Sequence, residues 1–408
     1  MAAVSSSGPV AARDTDRHAD SRAPAVGSPQ TAGAGLYLHV PFCRSLCGYC
    51  AFARGLFAGD LKDRYVAAIE REIRGAGGSG GAAVVRADTV YFGGGTPSLL
   101  SAAEVAQLLS ACRDTFDLDP RAEVTLEANP ESVDPETLAG FRGAGVTRLS
   151  IGAQSFHDAE LALLGRIHTA AEARRAVEQA ARAGFDSVGV DLMMGLPGQS
   201  LADWLASVDA LAALAPAHAS LYVLEIHPGD RLPIEMARRG LAAAADDLVA
   251  DMYLAAMERL EGSGYRQYEI SNLARAGFES RHNTKYWTDG DWIGFGSAAH
   301  SARGGVRWRN VADAGDYIAR VDGAGPVAER QLPSARRRLE DALFMGLRRA
   351  DGVDTEALGR RYGIDVWEAY GRRLAPFVEA GVLVREAGIL RLTRRGMLLS
   401  NEVMLSFV

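Results

Sequence analysis

The sequence lacks any apolar run approaching the roughly 20 residues that a membrane-spanning helix needs. Its amino terminus also lacks the apolar core that follows the basic start of a secretory signal. Residues 1–34 are rich in Ala, Ser, Gly, Pro and Asp. Such a composition buries too little apolar surface to offset the entropy of ordering, so a disordered tail is expected there. With no transmembrane segment and no export signal, the cytoplasm is the expected compartment. There is no excess of basic charge: the formal net charge is −7. That argues against nucleic acid as a partner and gives no general attraction to an anionic bilayer, though peripheral membrane contact stays open. Cysteine is scarce, with 4 in 408 residues, which excludes a disulfide-stapled scaffold.

What is present is ordinary for a globular chain, 48% hydrophobic and 23% charged, and long enough for one large domain plus smaller ones. From residue 36, short β-rich runs (Leu36–Val40, Thr89–Phe92, Glu123–Glu127, Arg148–Gly152, Ser187–Leu192, Ser220–Leu224) alternate with helical stretches near 60–75, 101–116, 135–144, 170–183 and 201–214. Strand–helix alternation predicts a parallel sheet with right-handed crossovers. The expected class is α/β: an incomplete TIM-like (β/α)6 barrel over 35–265, with a doubly wound open sheet as the alternative. Residues 266–330 read as a linking segment rich in Tyr, Trp and His. Residues 331–408 read as a winged-helix-like α+β domain, with helices and then a hairpin of Val382–Arg385 and Ile389–Leu392 around Glu386-Ala387-Gly388. The run Arg336–Arg338 reads as a solvated basic helix face rather than a DNA contact.

Three of the four cysteines fall within eight residues, in Cys43-Arg44-Ser45-Leu46-Cys47-Gly48-Tyr49-Cys50. In a reducing compartment such a cluster points to a metal site before a disulfide. Three thiolates on a short loop can ligate three irons of a 4Fe-4S cube and leave the fourth iron open. An open position marks a reactive site rather than a structural one. Zinc, with His39 as fourth ligand, is the weaker alternative. Cys112 shares a helical apolar stripe with Val105, Leu108, Leu109 and Phe116 and reads as core packing.

Other unusual residues gather where strands end, the place where α/β folds put their functional groups. Gly93-Gly94-Gly95-Thr96-Pro97 follows the second run. Glu127 ends the third, Gln154 follows the fourth, and Asp191 lies near the end of the fifth.

C-x3-C-x2-C followed by a GGGTP turn resembles the radical S-adenosylmethionine (SAM) superfamily. The resemblance implies that the open iron binds SAM and that an electron from the cluster cleaves it, which calls for an electron donor. Leu36–Phe52, Phe92–Pro97, Leu126–Pro130, Leu149–Phe156, Asp191–Pro197 and Arg281–Trp287 together look like the coproporphyrinogen III oxidase-like branch. By that resemblance the SAM contacts are Tyr37, Tyr49, Gly94, Gly95, Thr96, Glu127, Gln154, Arg166 and Asp191.

Two features depart from the oxygen-independent oxidase itself. Its fourth cysteine, two residues after the third, is replaced by Phe52. The segment His282-Asn283-Thr284-Lys285-Tyr286-Trp287 looks like the H-N-x-x-Y-W motif of the HemW heme chaperone branch. That resemblance implies heme as a further ligand and heme-accepting proteins as partners. Imidazole is a common axial heme ligand, so His282 is the candidate, with His39 and His300 as competitors. Tyr286 and Trp287 could stack on the macrocycle. The plainer alternative is that His282 and Trp287 close the barrel against the C-terminal domain. No C-x-x-C-H motif indicates covalent heme attachment. The oxidase activity, decarboxylation of coproporphyrinogen III, is the second reading.

Overall fold

The six β-rich runs predicted between residues 36 and 224 lie in one sheet. The computed structural model describes residues 33–50, 53, 55–56, 59–77, 84–227 and 229–407. Phe52 and all of the amino-terminal tail but Gly33 and Ala34 lie outside the described residues. Six strands follow the expected order: β1 (Ala34–Val40), β2 (Arg86–Gly94), β3 (Asp117–Ala128), β4 (Arg148–Gln154), β5 (Ser187–Met194) and β6 (His218–Val223). Each is parallel to the next and lies beside it. Sequential neighbours all the way across exclude the doubly wound alternative, which needs a reversal of strand order. The first strand begins at Ala34, so the predicted tail boundary moves back to Gly33.

The segment 266–330 is not a linker. It supplies β7 (Arg266–Gln267), β8 (Asn272–Ala274), β9 (Trp292–Phe295), β10 (His300–Arg303), β11 (Val306–Asn310) and β12 (Val327–Gln331). The order across the sheet is β12-β11-β10-β9-β1-β2-β3-β4-β5-β6-β8-β7. Strand β9 pairs in parallel with β1, and β8 pairs antiparallel with β6. Both edges of the barrel portion are thus occupied, and β1 does not pair with β6. Glycine at 294 is required here: a Cβ would lie 2.4 Å from the His300 carbonyl oxygen. No periodicity marks a four-residue strand of this kind, which is why sequence reading missed it.

The two faces of the sheet differ. Leu36, Leu38, Val90, Phe92, Val124, Leu126, Leu149, Ile151, Val188, Val190 and Leu221 point outward into the main core. They meet α1 (Gly59–Gly75), α2 (Ala102–Thr115), α3 (Pro135–Ala144) and the later crossover helices through Ile69, Leu108, Phe141 and Val177. Cys112 is in this core, fully buried, and burial pushes its thiol up to about 12. The alternate positions point into the barrel and are polar or glycine: Tyr37, Tyr91, Thr125, Glu127, Arg148, Ser150, Gly189, Asp191, His218 and Ser220. Barrels of this type usually fill their interior with branched aliphatic side chains. This one holds a polar lumen instead.

The C-terminal domain packs α11 (Ala335–Gly346), α12 (Thr355–Tyr362) and α13 (Val366–Glu379) against a small sheet of Val353–Asp354, Leu383–Glu386 and Ile389–Leu392. This is the expected winged-helix-like arrangement, with the hairpin one residue from its predicted start. Arg336 and Arg337 pair with Glu340 and Asp341 on their own helix, at 3.2 and 3.3 Å. Fully buried Glu269 fastens the domain to the barrel. It accepts hydrogen bonds from the Ser271 amide (2.9 Å) and Arg348 (3.4 Å), beside an antiparallel bridge to Arg349.

Candidate functional site

The cysteine loop leaves the carboxyl end of β1. Phe42–Cys43 pairs with Gly55–Leu56, closing the loop at its base. Its middle is pinned from two sides: the Gly48 amide donates to the Leu164 carbonyl (3.2 Å) and the Gly48 carbonyl accepts from the Leu232 amide (2.9 Å). The Tyr49 ring packs on a small satellite core of Leu163, Leu164, Met193, Leu196, Leu224, Leu232 and Met236. Cys43 is buried, and Cys47 and Cys50 are half-buried.

Two polar side chains reach the thiols from neighbouring loops. Thr96 Oγ1 lies 3.5 Å from Cys43 Sγ, and Arg166 Nη1 lies 3.6 Å from Cys47 Sγ. Asn129 holds both in place: its Nδ2 donates to Thr96 Oγ1 (3.1 Å) and its Oδ1 accepts from Arg166 Nη2 (2.7 Å). Arg166 also donates to the Gly152 carbonyl (2.9 Å), while its Nε is buried with no hydrogen-bond partner among the described residues. A guanidinium with an unspent donor beside cysteine sulfur suits anionic ligands and carboxylates. Among the described residues no three His, Cys, Asp or Glu side chains are gathered tightly enough to hold one metal ion. Three thiolates on three different irons do not need that convergence.

The glycine turn packs tightly against β1 and the start of the cysteine loop. Its amides are spent within the protein: Gly94 N donates to Glu127 Oε2 (3.1 Å), Gly95 N to the Val40 carbonyl (2.8 Å) and Thr96 N to the Phe42 carbonyl (2.8 Å). A Cβ on Gly94 would lie 2.5 Å from the His39 ring, and one on Gly95 2.7 Å from the Phe42 carbonyl oxygen. The glycines let β2 press against the strand that presents the cysteines. His39 is committed as well, with Nδ1 at 3.1 Å from the Tyr37 hydroxyl and Nε2 at 2.9 Å from the Ala53 carbonyl.

Below the loop the lumen carries two carboxyls. Tyr91 donates to Glu127 Oε1 (2.8 Å), and Ser150 donates to Asp191 (3.1 Å). Burial, with Asp191 as a neighbouring charge, pushes Glu127 up to about 7. Burial raises Asp191 too, against hydrogen bonds from Ser220 and Ser150. Gln154 ends β4 at a φ of 65°, rare for a residue with a side chain and a mark of functional loops. Tyr37, Thr96, Glu127, Gln154, Arg166 and Asp191 therefore share the lumen and its carboxyl rim. Tyr91, Asn129 and Arg148 were missed. Inward parity on strands already recognised would have flagged the first and third, and the Asn129-Pro130 strand end the second.

His282 lies at the amino end of the same lumen, its ring centroid 5.0 Å from that of Tyr91 and 6.4 Å from that of Tyr37. It sits on α9 (Arg281–Trp287), beneath the amino end of the barrel. Its Nδ1 lies 2.8 Å from Thr89 Oγ1 and its Nε2 2.9 Å from the Tyr286 hydroxyl, and it is fully buried. Glu123 caps the helix through the amides of Arg281 (3.1 Å) and His282 (3.0 Å). Lys285 ties it to Asp88 and the Gly33 carbonyl, both at 2.6 Å. Thr89 lies within β2, five residues before Gly94, roughly 16 Å along the strand at about 3.3 Å each. With both ring nitrogens engaged, His282 is not open to a ligand here. The Trp287 ring is covered by the Arg348 guanidinium, 4.6 Å from its centroid.

Residues 37–211 match the model of the radical SAM superfamily, and residues 334–399 that of the HemN C-terminal domain. A Mycobacterium tuberculosis protein, heme chaperone HemW, is 40% identical over 93% of this chain and 95% of its own. The chain belongs to the HemW family. The Bacillus subtilis heme chaperone HemW is 33% identical, over 91% of this chain and 98% of its own. Among solved structures, the Escherichia coli coproporphyrinogen III oxidase HemN, a radical SAM enzyme, superposes with a TM-score of 0.79 at 23% identity, covering 93% of this chain and 91% of its own. That likeness places HemW-family members on the HemN fold. Among the described residues no helix is long and apolar enough to cross a membrane.

Proposed function

We propose that this chain is a heme chaperone: it binds heme, carries a SAM-ligated 4Fe-4S cluster, and passes heme to acceptor proteins. The observation that carries this reading is identity of 40%, over nearly the whole of both chains, with a protein named for that activity. Cys43, Cys47 and Cys50 would hold the cluster. Such a cluster, when reduced, supplies the electron that cleaves bound SAM.

The chain's own residues prepare that site. Thr96 and Arg166 set donors beside the sulfurs. Arg166 is suited to a carboxylate of SAM, and Glu127 and Asp191 to ribose hydroxyls. Tyr49 covers the loop from the satellite core and limits water. A reductant for the cluster and a heme-accepting protein are the partners this reading requires.

The test is direct transfer. Anaerobically reconstituted protein is loaded with hemin and mixed with an apo heme protein, and appearance of the holo-acceptor spectrum is followed. Transfer faster than from free hemin, and dependent on the loaded chain, is expected. No saturable hemin binding would remove the reading. Decarboxylation of coproporphyrinogen III is not favoured, because Phe52 stands where the oxidase has its extra cysteine.

A further inference from the structure

A cavity of about 350 Å³ opens between β10, β11 and α11, next to α9. Its size is that of a ligand pocket. Aromatic and apolar side chains form its walls: Tyr286, Trp292, Phe344, Met345 and Phe407. Tyr286 and Trp292 meet edge to face, with centroids 4.9 Å apart, and so form two walls that meet at a corner. Phe344 is 37% exposed, an unusual loss of apolar burial at the junction of two domains.

His300 lines the same cavity. Among the other described histidines, His39, His168 and His282 use both ring nitrogens, His157 and His218 use one each, and His227 lies 3.5 Å from Glu225. His300 is exposed, and no hydrogen bond among the described residues engages its ring. Partial burial and the nearby Arg309 lower its pKa, so the ring is neutral and its lone pair available at pH 7.

Two guanidinium groups stand among three acids at the rim. Arg307 and Arg337 both pair with Asp341, at 2.7 and 3.3 Å. The other two acids of the cavity have partners of their own. Glu340 pairs with Arg336 at 3.2 Å, and Asp289 with Arg361 at 3.2 Å. An aromatic-walled cavity, an imidazole that no hydrogen bond among the described residues engages, and two arginines that share one acid together match a metalloporphyrin that carries carboxylate side arms.

We propose that heme binds in this cavity, with His300 as an axial ligand and Arg307 and Arg337 at the propionates. This rests on the heme-binding reading above. It moves the iron ligand from His282 to His300 and gives the H-N-x-x-Y-W segment a different part, since Tyr286 supplies a wall while His282 positions Tyr286. It also puts heme at the amino end of the barrel, away from the cysteine loop, because Trp292 pairs with Gly35 at the start of β1.

The experiment is hemin titration of the full-length, cluster-loaded protein, with cluster absorbance and thermal midpoint followed in every variant. Wild-type protein should give a saturable Soret band at about one hemin per chain. His300→Ala should shift that band and weaken binding by about tenfold or more. Phe344→Glu, at a half-exposed site that tolerates charge, should weaken binding to a similar degree with the cluster unchanged. Binding by both variants with wild-type spectrum and affinity would overturn this pocket while leaving the chaperone reading intact. A Soret shift in His282→Asn but not in His300→Ala would also overturn it and return the ligand to α9. Failure of the wild-type protein to bind hemin would instead remove the chaperone reading, and the pocket with it.

Discussion

Thr89 and His282 are 193 residues apart in sequence and 2.8 Å apart in space, Oγ1 to Nδ1. One lies in the amino-terminal half of barrel strand β2 and the other rides the helix that closes the barrel beneath it. Burial holds the His282 imidazole down to about 3, so it is neutral through the physiological range. Its folded pKa is below the ordinary 6.5, so the unfolded chain takes up the proton first as pH falls. The contribution of His282 is complete above about pH 6.5 and is lost progressively below it. The difference in urea stability between wild type and His282→Asn should therefore be largest at pH 7.5. At pH 5 it should narrow by about 2 kcal/mol. A constant difference across that range would mean the ring is more exposed than described.

Glu127 runs the other way. Its folded pKa of about 7 is above the ordinary carboxyl value, so its stabilising contribution is present below about pH 4.5 and disappears as pH rises through 7. Glu127→Gln should raise the melting temperature of the SAM-free protein at pH 8 and change it little at pH 5. The same variant should bind SAM at least about tenfold more weakly, if the carboxyl meets the ribose. Paired thermal melts and equilibrium dialysis would show whether stability and affinity move in opposite directions.

The cysteines divide three to one. After anaerobic reconstitution the wild-type chain should hold about four irons. Alanine at Cys43, Cys47 or Cys50 should bring this near zero. Cys112→Ala should keep it, at a modest cost in stability from the small cavity it leaves in the core. Iron analysis with the absorbance near 400 nm reads both outcomes. Retention of iron in the triple variant would reject the assignment.

Glu269 gives the sharpest stability prediction. Its carboxylate is fully buried, with Arg348 and the Ser271 amide as partners. Glu269→Ala should destabilise by about 3–5 kcal/mol, because Arg348 then loses its partner. Limited proteolysis should cut first near the junction of the C-terminal domain. A loss under about 1 kcal/mol would show that the junction is held by its apolar contacts alone.

Most of the barrel was legible because its signal is repetitive. Strands β1 to β6 alternate inward and outward with period two, and helices such as Ala170–Arg182 announce themselves with Thr169 and Glu172 as a capping box. The cysteine loop was legible because thiol spacing is rare and chemically narrow. The parts that were missed are set by tertiary contact. Trp292–Phe295 is a strand only because β1 offers an edge, and the glycine turn's amides look free until Val40 and Phe42 are placed beside them. The setting of His282 was hidden for the same reason: an H-N-x-x-Y-W string carries no record of Thr89. His300, with no motif around it, gave no sequence signal beyond being a histidine.

The pairing of β9 with β1 also has a consequence for biosynthesis. On one side β1 finds its neighbour early, Leu36 against Val90; on the other it waits about 250 residues for Ile293. Long-range pairing of this kind is slow, and an unpaired edge is exposed until it forms. On the ribosome, the strand that carries the cysteine loop stays half-partnered until three quarters of the polypeptide has emerged. Maturation of the metal centre and completion of the sheet are in this way coupled in time. A chain truncated before residue 292 should accumulate as an aggregation-prone nascent form, whatever the integrity of its cysteine motif.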